Sequence, residues 1–274
     1  MKSIKSILII LFIFFQTETI LSNENIFNVN NVKIVKNLND SNEVLANKAI
    51  KRAFEELKNR ILLQDDRKKL QYLKFTKIKE LVSYYQVIVN DETQLAENTQ
   101  KLNYNIFFDR DKLHNLFYQN QISYSEINNK EIFLLPVLKK KNQYYIYNKN
   151  FFYDSWNLYS ENELIEYILP IENIEIIQKI NSNKNDLLDL DLRDLFKEYT
   201  KKNLALVIIE DSDSQTEKVF LKTFIANKEI NKRLMIKKQN LSEKKFYLKI
   251  IKNTNAEITN LIKSQNLIDI RTPS

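Results

Sequence analysis

The 274-residue chain contains no glycine, no cysteine, one histidine, one tryptophan and three prolines. Without glycine it cannot build the phosphate-cradling loops GxGxxG and GxxxxGK, nor a GxSxG nucleophile elbow. No cofactor is expected on this ground. Every backbone position with φ > 0 must also fall to another residue, and Asn and Asp tolerate that conformation best. Turns are therefore expected at Asn39-Asp40, Asn128-Asn129, Asn142, Asn148 and Asn227. The bias toward Lys, Ile and Asn is the one an AT-rich genome produces in place of Gly, Ala and Arg codons.

The lack of cysteine excludes disulfide staples and a lipid-bearing cysteine, so packing alone must hold the fold. With one histidine and no cysteine, neither a Ser/His/Asp nor a Cys/His set can be assembled with assurance. A metal site needs several convergent ligands. His114 therefore reads as a helix-surface side chain beside Leu113, in preference to a general base or a ligand. A catalytic role is not expected. A carboxylate-pair glycosidase stays open, because Asp and Glu are plentiful and their spatial pairing is invisible in a sequence.

What is present suits a folded protein. Hydrophobic residues make up 43% of the chain, enough for one large domain or two small ones. Lys and Arg number 42 against 35 Asp and Glu, a net charge of +7. The charges are interspersed, which describes a mildly basic surface and not a concentrated nucleic-acid footprint.

Residues 1–22 read as a secretory signal. Lys2 and Lys5 supply a positive n-region, and Ile7 to Phe15 is an unbroken apolar run too short to span a bilayer. Thr17-x-Thr19 and Ile20-x-Ser22 stand where a cleavage site is wanted. The alternative is an uncleaved inner-membrane anchor facing the periplasm, which would be the chain's one membrane contact.

Leu102, Tyr104, Ile106 and Phe108 alternate with polar residues and predict a half-buried strand. Asp109 follows as the cap of a helix starting at Arg110. Ile132 to Leu135 suits a strand buried on both faces, whose ladder should weaken or end at Pro136. Upstream, Val29, Val32 and Ile34 mark a strand. Asp40 with Glu43 resembles a capping box for a helix over Ser41 to Leu63, with Ala46, Ala49, Ile50, Ala53, Phe54, Leu57 and Ile61 on one face. Asp65 to Val82 reads as two helical pieces and Tyr84 to Val89 as a strand.

Downstream, Asp186 to Lys201 has the spacing of one amphipathic helix. Leu204 to Ile209 is a buried strand, followed by strands over Thr216 to Ile225 and Asn231 to Lys238. A last helix is capped by Ser242. The class is α+β: two small α/β-sandwich modules, with antiparallel or mixed sheets and helices packed on one face. The expected domains are 23–157 (β-α-α-β-β-α-β) and 158–274 (α-β-β-β-α).

Two stretches invite a ligand. Lys139-Lys140-Lys141 precedes Tyr144, Tyr145 and Tyr147, mixing bases with aromatics as a single-stranded nucleic-acid platform does. Nothing else extends that patch, which argues against nucleic acid and for a hairpin turn before a surface strand. Tyr144, Tyr145, Tyr147 and Trp156 are instead candidates for a glycan or peptide site, against the commoner use of aromatics as core. Glu210, Asp211 and Asp213 at a strand end are candidates for a hard cation, though they lack calcium-loop spacing and also make ordinary turns.

NKAIKRAFEELKNRIL, YYQVIV, YNIFFDRDKLHNLF, ISYSE, IFLLPVL and DSW together resemble a family of uncharacterised exported proteobacterial proteins, a domain of unknown function. The resemblance covers Asn42 to Trp156, with the Leu204 strand and the last helix matching more loosely. It implies an envelope location and no established enzyme activity. The expected role is thus that of a non-catalytic periplasmic or secreted protein contacting an envelope protein partner. The alternative is a periplasmic glycan- or peptide-binding module or hydrolase.

Overall fold

The computed structural model describes residues 25–268 apart from 38, 89–99, 128–129, 160–163, 185, 200–202 and 213. The expected signal segment, the Asn128-Asn129 turn and Asp213 lie outside them. The fold is α+β, in two compact units. One comprises residues up to Asn59 and Lys69–Gln121; the other is Arg60–Lys68 with Ile122 onward.

In the first unit, β1 (Asn28–Lys36) leads to the long helix α1 (Asn42–Ile61). Leu45, Ala46, Ala49, Ile50, Ala53, Phe54 and Leu57 are buried along one side of it, as the 3.6-residue period predicts. Its cap differs from expectation. Asp40 turns back to accept the Asn37 N–H (3.1 Å) and to pair with Lys48 (2.9 Å). Ser41 caps instead, its Oγ accepting from the Val44 N–H at 3.3 Å.

Helix α2 (Gln64–Lys69) falls, but for its last residue, in the second unit; the first unit continues with α3 (Phe75–Glu80), β2 (Val82–Ile88), β3 (Gln100–Phe108) and α4 (Arg110–Gln119). Asp109 caps α4 as expected, its Oδ1 accepting from the Lys112 N–H at 3.1 Å. The sheet runs β1-β3-β2, all antiparallel. Tyr104, Ile106 and Phe108 face inward, with Phe54 of α1 at 6.1 Å from the Phe108 ring.

The second unit holds β4 (Tyr124–Ser125), β5 (Lys130–Lys140), β6 (Gln143–Tyr145), α5 (Phe151–Tyr159), β7 (Ile165–Ile168), α6 (Ile174–Ser182), α7 (Leu192–Leu195), β8 (Asn203–Asp211), β9 (Thr216–Ile225), β10 (Lys228–Lys237), α8 (Glu243–Gln265) and β11 (Leu267–Ile268). Its main sheet is ordered β10-β9-β8-β5-β6, with β7 also on β5. β5 pairs in parallel with β8 from Ile132 to Lys140, so it belongs here and does not close the first unit's sheet. The divide falls at Gln121 and Ile122, ahead of the boundary expected near residue 157.

Both faces of this sheet are buried. Ile132, Leu134, Ala205 and Val207 pack with Phe152 and Trp156 of α5 and Ile250, Ile251 and Ile258 of α8. Phe133, Leu135, Leu204 and Leu206 pack on the other face with Ile176, Ile180, Leu192 and Phe196. A continuous apolar run is what such a strand needs.

Pro136 does not end β5. The β7 pairing covers Lys130 to Phe133 and the β6 pairing covers Leu138 to Lys140, so Pro136 sits in the gap between them. Its carbonyl is taken by the Asn150 side chain at 2.8 Å. A residue's N–H and C=O point to the same side of a strand, so the missing amide faces that gap and not β8.

The expected helix over 186–201 is broken into 3-10 turns at Leu187–Asp189 and Lys197–Tyr199 flanking the single turn α7. Asp191 accepts from the Arg193 N–H at 2.8 Å, a cap that starts a new helix where the periodicity read one. At α8, the Ser242 side chain makes no cap bond; its carbonyl takes the Phe246 N–H.

Positive φ occurs at Asn142 and Asn227 as expected, and also at Asn31, Gln121, Lys141, Lys149, Ala226 and Gln239. Lys149 takes the role foreseen for Asn148. Lys141-Asn142 and Ala226-Asn227, positive at both positions, are two-residue hairpin connections whose twist matches the strands they join.

Candidate functional site

A strand at the border of a sheet presents unpaired N–H and C=O groups, and proteins blunt such borders with charges, bulges or short strands. Among the described residues, most open edges here are blunted. β10 carries Lys228, Lys232, Arg233 and Lys237. β6 is three residues long and β7 four. β1 carries Lys33 and Lys36 and bulges between Val29 and Val32, where Asn31 adopts φ 58° and its N–H reaches Asn105 Oδ1 at 2.9 Å. The Lys33 carbonyl is occupied by the Arg52 guanidinium at 3.0 Å.

Among the described residues β2 is less guarded: its seven residues, VSYYQVI, have one register shift, between Val82 and Tyr84, and no charge or proline. Tyr84, Tyr85 and Val87 are exposed at 52%, 45% and 46%. The pairing with β3 shifts register between Val82 and Tyr84, then runs regularly from Tyr84 to Ile88. Tyr84 stacks on Phe107 on the outer face, with ring centroids 4.2 Å apart and planes 12° from parallel. Tyr85, on the inner face, lies 6.2 Å from Tyr104. Burial, and after it Tyr85, push the Tyr104 phenol above its usual range. The rings are thus held in place by β3 while much of their surface meets solvent.

No family model matches this chain, and no curated protein does. Among solved structures, lipoprotein GNA1162 from Neisseria meningitidis is similar over 47% of this chain and 96% of its own, at 11% identity and a TM-score of 0.27. An uncharacterized protein is similar over 51% of this chain and 94% of its own, at 10% identity and 0.21. Likenesses this slight say nothing of function.

The aromatics singled out from the sequence do not share a surface. Trp156 is fully buried in one core and Tyr147 is buried in the other, its ring edge-on to Tyr153 at 5.1 Å. Burial pushes the Tyr147 phenol up to about 12. Tyr144 and Tyr145 are neighbours on β6 and pack toward opposite cores. The Tyr144 hydroxyl donates to the Lys184 carbonyl (2.8 Å) and that of Tyr145 to Gln143 Oε1 (3.0 Å).

The strand-end carboxylates have partners set by the parallel register, in which Lys139 faces Glu210 and Lys140 faces Asp211. The ion pairs measure 3.0 and 2.7 Å. The Glu210 hydrogen bond, foremost, raises the Lys139 ammonium pKa. Asp211 and Glu243 each lie 2.9 Å from the Tyr247 hydroxyl, whose single proton serves one of them at a time. No group of three metal-ligating side chains occurs among the described residues. His114 is half-buried, edge-on to the Phe27 ring at 5.5 Å.

The residue pattern predicts a strand over Tyr84 to Val89, and only the sheet order makes β2 an uncharged border strand. The lack of charge itself was visible: seven uncharged residues, rich in Tyr and Val, in a chain that is 28% charged. Which strands lie at a border is a property of the sheet order, which no local pattern encodes.

Proposed function

We propose that this is an exported, non-catalytic protein of the cell envelope that works through protein–protein contact, and that β2 is the contact strand. The observation that carries the reading is the exposed, uncharged edge Val82–Ile88, with Tyr84, Tyr85 and Val87 open to solvent. Strand addition to such an edge draws affinity from main-chain hydrogen bonds and specificity from alternate side chains. Export is supported by Lys2, Lys5 and the apolar run Ile7 to Phe15. No helix among the described residues is long and apolar enough to cross a membrane.

The test is in-cell photocrosslinking from residue 86, with residue 231 on the charged β10 edge as comparison, and mass spectrometry of the N-terminus. The reading expects defined protein adducts from residue 86 alone, in the envelope fraction, and a chain starting near Asn23. Absence of adducts from residue 86 overturns the contact; an intact Met1 in the membrane fraction overturns cleavage in favour of an anchor.

A further inference from the structure

We infer that the occupant of the β2 edge is the β2 edge of a second copy, paired antiparallel about a two-fold axis through Gln86. The inference rests on β2 being a contact strand and adds the identity of its partner.

Directly opposed residues in an antiparallel pair lie on the same face, so a symmetric pairing must be centred on a residue and not between two. The regular part of β2, beyond its register shift, is Tyr84 to Ile88, and its midpoint is Gln86. Centring there places Tyr85 opposite Val87 of the other copy, twice, on the inner face. It places Tyr84 opposite Ile88, twice, on the outer face, with Gln86 amide to amide on the axis. Aromatic rings against β-branched side chains are favourable cross-strand pairs, and a glutamine pair can exchange hydrogen bonds. Tyr85 and Val87 face inward yet remain 45% and 46% exposed, because the sheet ends beside them. A second copy would cover that surface with the same side chains.

Charge selects this edge over the others. The chain carries +7, so two copies approaching through most surfaces repel. Self-pairing of β10 would set Lys228, Lys232, Arg233 and Lys237, with only Glu229 of opposite sign, beside the same cations of the other copy, and β1 would do the same with Lys33 and Lys36. β2 brings no charge to its partner. One strand pair is smaller than the ~1,600 Å² of a standard interface, so the dimer is expected to be reversible and to form with rising concentration.

The absence of cysteine makes the test direct. Gln86 is exposed, and on the axis its Cα lies about 4.5–5.5 Å from its copy, within disulfide reach. Under mild oxidation Gln86→Cys should form a disulfide-linked dimer at least about tenfold faster than Asn231→Cys on β10. Sedimentation should show a monomer–dimer equilibrium that Gln86→Lys, placing two ammonium groups face to face, abolishes without changing the circular dichroism. Equal oxidation rates for the two cysteine variants, or a dimer that survives Gln86→Lys, overturn the inference. A protein that stays monomeric in sedimentation yet gives in-cell adducts from residue 86 to other proteins also overturns self-pairing while leaving the contact reading intact. A monomer with no adducts overturns both.

Discussion

Replacing Asn150 tests how the second unit tolerates a proline inside its most buried strand. Asn150 is fully buried just ahead of α5. Its amide Nδ2 lies 2.8, 3.0 and 2.7 Å from the carbonyls of Pro136, Tyr145 and Ile146. Its Oδ1 accepts from the N–H groups of Phe152 and Tyr153 at 3.1 and 3.4 Å. One side chain thus satisfies the strand gap at Pro136, the exit of β6 and the start of α5. Leucine fills a similar volume and makes none of these bonds. A cap is worth about 1 kcal/mol, and each buried carbonyl left without a donor costs about 1–3 kcal/mol. The amide has two protons for three carbonyls, so two bonds are lost at a time, and Asn150→Leu should cost about 3–7 kcal/mol. That is a large part of the roughly 5–15 kcal/mol that holds a domain together. Urea unfolding followed by tryptophan fluorescence measures it cleanly, because the one tryptophan, Trp156, lies in α5. The midpoint should fall with an unchanged slope. Asn150→Asp keeps the cap acceptor but turns a carboxylate toward carbonyls. It should be as damaging near neutral pH and regain stability in acid, as the group protonates and can donate. A loss under about 1 kcal/mol in Asn150→Leu, or no acid recovery in Asn150→Asp, would refute this account of the proline gap.

The same fluorescence assay reads three further variants in this unit. Lys263 is buried, its ammonium bonds the Leu62 carbonyl at 3.1 Å, and burial, then Arg67, lowers its pKa from 10.5 to about 8. Between these values the unfolded chain binds more protons than the native one, so stability should rise with pH, by up to about 1.4 kcal/mol per pH unit, and Lys263→Met should flatten that slope. Glu217 is buried and accepts from both the N–H and the Oγ of Ser212 (2.8 and 3.0 Å); burial raises its pKa. The native state then holds the proton more tightly, and this contribution to stability is lost as pH rises through the raised value. Glu217→Gln, which keeps the acceptor without the charge, should raise the urea midpoint near neutral pH and leave it unchanged in acid. At the β9–β10 hairpin, Ala226 and Asn227 have φ of 49° and 61°. Changing them to Asn-Gly, the preferred pair for that turn, should stabilise by about 1 kcal/mol in the same urea titration.

Local structure was legible wherever one residue pattern had one meaning. The alternation from Leu102 to Phe108 with Asp109 behind it could only be a strand running into a capped helix, and the structure has β3, the Asp109 cap and α4 in those places. Competing acceptors were less legible. Asp40 and Ser41 could both cap α1, and Lys48 together with the Asn37 N–H drew the carboxylate away and left the hydroxyl. Over 186–201 the spacing puts Leu188, Leu192, Leu195, Phe196 and Tyr199 on one face; Leu192, Leu195 and Phe196 are buried and Leu188 and Tyr199 partly so, but the spacing does not show the break at Asp191, whose side chain bonds the nearby backbone in place of continuing a helix.

The sequence by itself determined the α+β class, the stretches that become strands and helices, and the chemistries barred by a chain with no glycine, no cysteine and one histidine. It did so because side-chain periodicity and residue inventory act within a few residues of chain. Only the tertiary structure decided which strands are neighbours. The run Ile132 to Leu135 announced burial on both faces, yet its partner, Asn203 to Leu206, lies beyond β6, α5, β7, α6 and α7. A parallel pair must be reached by such a crossover, and nothing in an apolar strand names its neighbour. The same long-range choice left β2 at the border of its sheet, with Tyr84, Tyr85 and Val87 of VSYYQVI exposed.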